Sequence, residues 1–238
     1  MFMLLRARRK LGRFAYYRRS RGLGGAIWLL VLSLLKPIYF RDAFEVSVRR
    51  RGPDWSRETH PGEGTVHLAF LRSPQDYDAA ESAMHPYVRR QGLREFLAEG
   101  GDRYVALTEF SDEEHPPQYV GFRMFEHGKF SIYEYGYGGA LPSNFVMNLE
   151  AGIAPEFRGH RLHARGRKES YEYQDSIGVD SMVSVVRAHN TSSLRSGGQA
   201  WAGTTHERLG TFAITSWFGG LRRSTPNWED LRQRIIGE

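Results

Sequence analysis

Apolar and polar residues alternate with period two over Thr65–Leu71, Arg103–Glu109 and Tyr119–Glu126. That period places every second side chain on one face of a pleated backbone and predicts three strands, with Ser111–Pro117 turning between the second and third. His127-Gly128-Lys129 predicts a tight turn into a strand over Phe130–Tyr137. Asn144–Ile153 then reads as the fourth long strand of an antiparallel run, and the β-branched stretch Val179–Arg187 as a fifth. Helical patterning covers Asp76–Ala98, interrupted near Pro86, then His160–Ile177 and the terminal Asn227–Ile236. Asn190–Ala200 is a weaker helix, because Gly197 and Gly198 lower its propensity. Glu207–Trp217 and Leu221–Ser224 predict a closing hairpin around Gly219-Gly220.

This order predicts an α+β domain with a mixed, mostly antiparallel central sheet and flanking helices. Early antiparallel strands give way to one strand-helix-strand crossover. Residues 51–64 hold two prolines and three glycines and read as a linker. The division expected is therefore a leader over 1–50, the linker, and a domain over 65–238. A chain beginning at Arg51 is expected to remain soluble and keep its ligand.

Charge separates the same parts. The chain of 238 residues carries a net +6, but residues 1–50 hold twelve Lys and Arg against Asp42 and Glu45, while the remainder holds twenty-one basic against twenty-five acidic residues. Basic charge confined to one end, and not interleaved with aromatics on a folded face, argues against a nucleic-acid partner. The basic segment leads into an apolar run, Gly22–Leu35, of fourteen residues. That is short of the roughly 18–20 needed to span a bilayer. Residues 1–36 are thus read either as an interfacial helix held to anionic lipid by the early arginines or as an amphipathic helix packed on the domain. The absence of cysteine excludes disulfides, thiolate metal sites and a cysteine nucleophile. The nine histidines include no H-E-x-x-H spacing, and no metal is expected.

Two segments carry the chemistry. Residues 153–163 read I-A-P-E-F-R-G-H-R-L-H: a strand end, a proline break, an Arg-Gly loop and a helix start, an arrangement that presents backbone N–H groups to a phosphate. Residues 185–193 read V-V-R-A-H-N-T-S-S. Together, and in the element order from Thr65 to Ser224, they resemble the acyl-CoA-binding core of the GCN5-related N-acetyltransferases. In that family the fourth strand runs into a loop R-x-x-G-x-G/A and a helix, and the fifth often ends in N-x-x-S. Arg158 and Gly159 keep the start of the loop, whereas Arg161 and His163 stand where two small residues are usual.

The resemblance implies acetyl-CoA as acyl donor and an amine that attacks the thioester directly, without a covalent enzyme intermediate. It places Gly152, Ile153 and Ala154 where a backbone N–H polarises the thioester carbonyl. Arg158, Gly159, His160, Arg161, Leu162 and His163 fall at the pyrophosphate, and Asn190 and Ser193 at further CoA contacts. Asn190 also reads as a helix cap. Glu150, three residues before Ile153, is the candidate general base and Glu134 the second choice. Tyr133, Tyr135 and Tyr137 read either as an acceptor pocket or as one face of an ordinary strand. The tyrosine acid that many family members carry after the fifth strand has no counterpart in S-S-L-R-S-G-G-Q-A-W. The expected acceptor is a small-molecule or lipid-linked amine, and the expected location is the cytoplasm, at the inner membrane face. Two other readings stay open: a non-catalytic protein of the same fold that binds a ligand or partner, and an acyltransferase taking a long acyl chain from a carrier protein.

Overall fold

The computed structural model describes residues 39–52, 64–132, 137–190, 193–194, 204–217 and 221–237. The chain divides into two compact units, one of Ala43–Phe212 with Pro226–Glu238 and one of Met1–Asp42 with Ala213–Thr225. Among the described residues ten strands run in chain order: β1 (Tyr39–Arg51), β2 (Thr65–Leu71), β3 (Arg103–Ser111), β4 (Gln118–His127), β5 (Lys129–Ile132), β6 (Tyr137–Ala140), β7 (Phe145–Ile153), β8 (Ser181–Arg187), β9 (Thr204–Trp217) and β10 (Leu221–Thr225). Six α-helices accompany them: α1 (Pro74–Ala80), α2 (Pro86–Arg89), α3 (Leu93–Ala98), α4 (Leu162–Arg165), α5 (Arg167–Ser176) and α6 (Trp228–Ile236).

In the larger unit seven strands form one sheet in the order β9-β1-β8-β7-β4-β3-β2. The pairs β2–β3, β3–β4, β4–β7 and β1–β8 are antiparallel, and β7–β8 is parallel. The α+β class and the mixed, mostly antiparallel sheet with flanking helices are therefore as the patterning predicts. In the other unit the end of β9 pairs with β10, from Ala213 opposite Thr225 to Trp217 opposite Leu221.

Each face of the larger sheet is covered by different helices. Neighbouring β4 residues project to opposite faces. On one face Phe122 packs with Val105, Leu107, Val88, Leu93 and Phe96 under α1–α3. On the other, Tyr104, Phe125 and Val146 pack with Tyr173 and Ile177 of the α5 segment. Tyr104 stacks on Phe125 with centroids 4.7 Å apart, and Phe70 on Tyr173 at 3.9 Å.

Local chemistry sets the helix ends. Ser73 accepts from the Asp76 N–H while Asp76 accepts from the Ser73 N–H, a reciprocal cap that starts α1, with Pro74 at the first turn. Asn227 caps α6, and Gly237 ends it at φ 84°. The helical stretch expected over Asp76–Ala98 with a break near Pro86 is three helices: Pro86 starts a new one behind a His85 cap, as expected, and Gly92 adds a second break at φ 72°. The helix expected over His160–Ile177 begins at Leu162 and breaks at Gly166. There a Cβ would stand 2.8 Å from Leu68 Cδ2 of β2. The strand expected over Phe130–Tyr137 is instead the small hairpin of β5 and β6.

The leader and linker boundaries need correction. Residues 39–50 fall within the expected leader and Arg51 in the expected linker, yet together they form β1, inserted between β9 and β8. Phe44, Val46 and Val48 are buried, and Arg51 donates from its guanidinium to the carbonyl oxygens of Tyr171 and Val179 while pairing with Asp175 at 3.0 Å. Residues 1–38 lie outside the described residues. Among the described residues no helix is long and apolar enough to cross a membrane.

A chain lacking residues 1–51 should consequently fail to fold, because it loses an interior strand with its three core side chains and leaves the β8 edge uncovered. Loss of the cooperative thermal transition by circular dichroism checks this.

Candidate active site

The site is built where β7 leaves β8. Their parallel pairing spans four pairs, from Phe145 opposite Ser181 to Asn148 opposite Ser184. Both strands continue, β7 to Ile153 and β8 to Arg187, without further mutual pairing. On its other side β7 stays bound to β4, and Met124 faces Glu150 while Phe125 faces Asn148. Leu149 is thus an extra residue, a β-bulge at the point of separation. Such bulges bend a strand and end its pairing locally.

Past the bulge, Glu150 and Ala151 are exposed and Gly152 and Ile153 half-buried. A Cβ on Gly152 would stand 2.6 Å from the Tyr87 hydroxyl and 2.7 Å from the Phe122 ring, so only glycine leaves room for the tyrosine. Ala154 is buried, and its N–H donates to the Val120 carbonyl at 2.8 Å. That amide is therefore not available to a thioester, which corrects its place among the expected cofactor contacts.

The loop after β7 is anchored from both sides. Pro155–Phe157 makes a single 3₁₀ turn with Phe157 buried, and Glu156 pairs with His85 Nε2 at 2.8 Å. Because His85 Nδ1 accepts from the Tyr87 N–H, its other ring nitrogen carries the proton donated to Glu156. Arg158 is exposed and turns back to donate from Nε to the Ile153 carbonyl at 3.2 Å. Gly159 and Arg161 both take positive φ, 99° and 54°, and Arg161 is the one non-glycine residue to do so among the described residues. A left-handed conformation costs an L-residue about 1–2 kcal/mol. The N–H groups of residues 159–163 have no hydrogen-bond acceptor among the described residues. Five consecutive exposed or loop-edge donors are what an anion requires.

Side chains in this loop divide between ligand side and interior. His160 is exposed, its ring 5.5 Å from Phe110. Leu162 is buried with Phe110, Phe157 and Ala154, so its side chain is core. His163 turns toward the sheet, accepting on Nδ1 from Arg123 Nε at 3.3 Å, and its carbonyl accepts from the same guanidinium. Arg123 is buried on β4 and makes no carboxylate pair among the described residues. Burial pulls its guanidinium down to about 10, and Arg49 adds repulsion against the support of Tyr171. Burial first, and Arg123 second, hold His163 well below the ordinary histidine range. It is neutral, as its acceptor role demands.

At the end of β8, Asn190 Oδ1 accepts from the Ser193 N–H at 3.3 Å, and the Asn190 carbonyl accepts from Leu194. Asn190 therefore caps the following turn. Glu134, Tyr133 and Tyr135 lie outside the described residues. Tyr137 is packed among Phe130, Phe212 and Trp228 and donates to the Pro226 carbonyl, so it belongs to the core and not to an acceptor pocket. Reading the sequence missed Tyr87, His85 and Arg123. The one local signal was Pro86, which interrupts a helix beside two of them. Among the described residues no group of three or more His, Asp or Glu side chains could hold a metal ion.

No protein-family model and no curated protein matches the chain. Solved structures similar to it include several GCN5-related N-acetyltransferases. A tandem protein of that kind from the clavulanic acid biosynthesis pathway is 14% identical, with 76% of this chain and 55% of that one aligned at a TM-score of 0.45. A GCN5-related N-acetyltransferase from Kribbella flavida is 12% identical over 82% and 63%, at 0.41. NAA60 from Arabidopsis thaliana, in complex with acetyl-CoA, is 16% identical over 66% and 100%, at 0.36. The chain thus spans less than two thirds of the first two. At these scores the likeness assigns no chemistry to the chain.

The His163 arrangement has a pH signature. With its folded value depressed below 6.5, the unfolded chain binds the proton first, so the stability His163 contributes is complete above about pH 6.5 and declines as pH falls toward the folded value. Relative to His163→Asn, which keeps an acceptor for Arg123, the wild type should lose up to about 1.4 kcal/mol per pH unit in that window. Urea unfolding of both proteins between pH 7.5 and 5 measures the difference.

Proposed function

We propose that the chain is an acyltransferase that moves an acetyl or related acyl group from acetyl-CoA to a primary amine by direct attack in a ternary complex. The observation that carries this reading is the parting of β7 and β8 beside five N–H groups that lack acceptors. An unpaired strand edge accepts an extended, amide-bearing arm, and the adjacent donors accept a pyrophosphate. The amine nitrogen attacks the thioester carbonyl carbon. As the C–N bond forms, the C–S bond breaks and the sulfur leaves as thiolate. Glu150, exposed just past the bulge, takes the proton the amine gives up. The resemblance in 153–163 and 185–193 supports the donor, and the absence of cysteine agrees with direct transfer.

The acceptor we assign is a small-molecule or lipid-linked amine, met at the inner membrane face by a domain that residues 1–36 hold to anionic lipid. Those residues carry eight Lys and Arg ahead of the apolar run, each worth up to about 1 kcal/mol near such a surface. Full-length protein should co-float with anionic vesicles and be released by salt.

Free-thiol release from acetyl-CoA, longer acyl-CoAs and acyl-carrier protein over a panel of amines tests the activity. Acetyl-CoA should be cleaved only with amine present, and Glu150→Gln should lower kcat by about 10²–10⁴-fold, the range for a lost general base. Calorimetry detecting no CoA binding would overturn the reading in favour of a carrier-delivered donor or a protein without catalysis.

A further inference from the structure

The two walls of the unpaired β7 segment differ in chemistry. Ala151 pairs with Arg123 and Gly152 with Phe122, and cross-strand partners share a face. One wall therefore presents a buried guanidinium with no carboxylate partner among the described residues. The other presents Phe122, Tyr87 and Leu149, packed on the core beneath α2 and α3. A hydrocarbon chain beside this segment belongs against the second wall, because the first would strip water from a charge without replacing it.

That second wall has little depth. The volume that a side chain at position 152 would fill is already taken by the Tyr87 hydroxyl and the Phe122 ring. Tyr87 is held there by its backbone: its N–H donates to His85 Nδ1 at 3.1 Å, His85 is fixed by Glu156 at 2.8 Å, and its carbonyl accepts from Gln91 Nε2 at 2.7 Å. Phe122 is buried, its centroid 6.3 Å from that of Tyr87. Tyr87 is half-buried, and its hydroxyl makes no hydrogen bond among the described residues, so it is placed by packing and not by a polar contact.

We infer that Tyr87 is the acyl-length gauge of the site: it closes the apolar wall above Gly152 and restricts the donor to short acyl thioesters of two or three carbons. The inference rests on the proposed acyltransferase reading and adds its donor class. Each methylene beyond that length must displace Tyr87 against the His85–Glu156 anchor, and a one-methylene difference in a fitted pocket is worth about 10- to 200-fold in discrimination.

The test is a chain-length series of acyl-CoA thioesters from acetyl to octanoyl. Thiol release measures kcat/KM, and calorimetry with the matching S-alkyl-CoA thioethers measures binding without turnover. Wild type should favour acetyl over octanoyl by at least about 100-fold. Tyr87→Ala should shrink that ratio at least tenfold, mainly by raising use of the longer chains, and Tyr87→Leu should give an intermediate profile if the alanine variant does not fold. Tyr87→Phe should change the ratio less than either truncation, since it removes the hydroxyl over Gly152 but keeps the ring. Equal use of all lengths by wild type, or an unchanged ratio in both truncating variants, overturns the gauge and leaves the acyltransferase reading standing. Neither cleavage nor binding at any length overturns both.

Discussion

Two parallel strands that pair for four residues and then separate leave backbone donors and acceptors that neither can satisfy alone. Everything distinctive in this chain follows from that separation between β7 and β8. Buried backbone polar groups are almost always paired, so strands that part while both remain extended either face water or await another extended molecule. The rest of the sheet is arranged to tolerate the opening. On one side β4 holds β7 along its whole length, and on the other β1 holds β8 from Phe44 opposite Arg187 to Arg50 opposite Ser181. The gap is thus framed by antiparallel ladders on both sides.

The loop beyond the gap carries Arg161 and His163 where two small residues were expected. His163 replaces a small residue without crowding the loop, because its ring is drawn toward the sheet by Arg123. Arg161 takes the left-handed backbone that glycine adopts most readily. A chain that keeps this conformation in a residue ill suited to it holds it by surrounding contacts: Leu162 is buried beside it, and the Arg161 carbonyl accepts from both Ala164 and Arg165. The uncommitted N–H groups are the result. Specialised side chains and ordinary backbone geometry coexist here because they act in different directions, the first toward the interior and the second toward the loop's outer surface.

Periodicity made β2, β3, β4, β7 and β8 legible, since each has one face that must be apolar. β1 alternates as plainly, with Phe44, Val46 and Val48 buried between half-buried Glu45 and Ser47, yet it went unread because the neighbouring arginines drew residues 39–50 into a basic leader. Charge is a property of a segment's surface and says little about whether its other face is buried. Asn227 was legible as a helix start because a cap is a local hydrogen bond, whereas α1 starts at Pro74 behind Ser73, two residues before the expected Asp76. The site was legible only along the chain. Arg158, Gly159 and Glu150 are near the opening by sequence continuity with β7, whereas Tyr87 and Arg123 arrive from elements far away, and no local pattern announces a residue whose role depends on what lies across from it.

The bulge at Leu149 has a further meaning once the two walls are distinguished. A strand is a parity device: count by twos and the side chain stays on one face. One surplus residue changes the parity of all that follows, so Glu150, Ala151, Gly152 and Ile153 occupy the faces they do because Leu149 has no partner. In an uninterrupted ladder Ala151 would stand opposite Phe122, where its methyl would contest the space Tyr87 now holds, and Gly152 would stand opposite Gly121. The surplus residue acts as a frameshift written in space and not in code: it leaves composition untouched and decides which chemistry each residue is shown to.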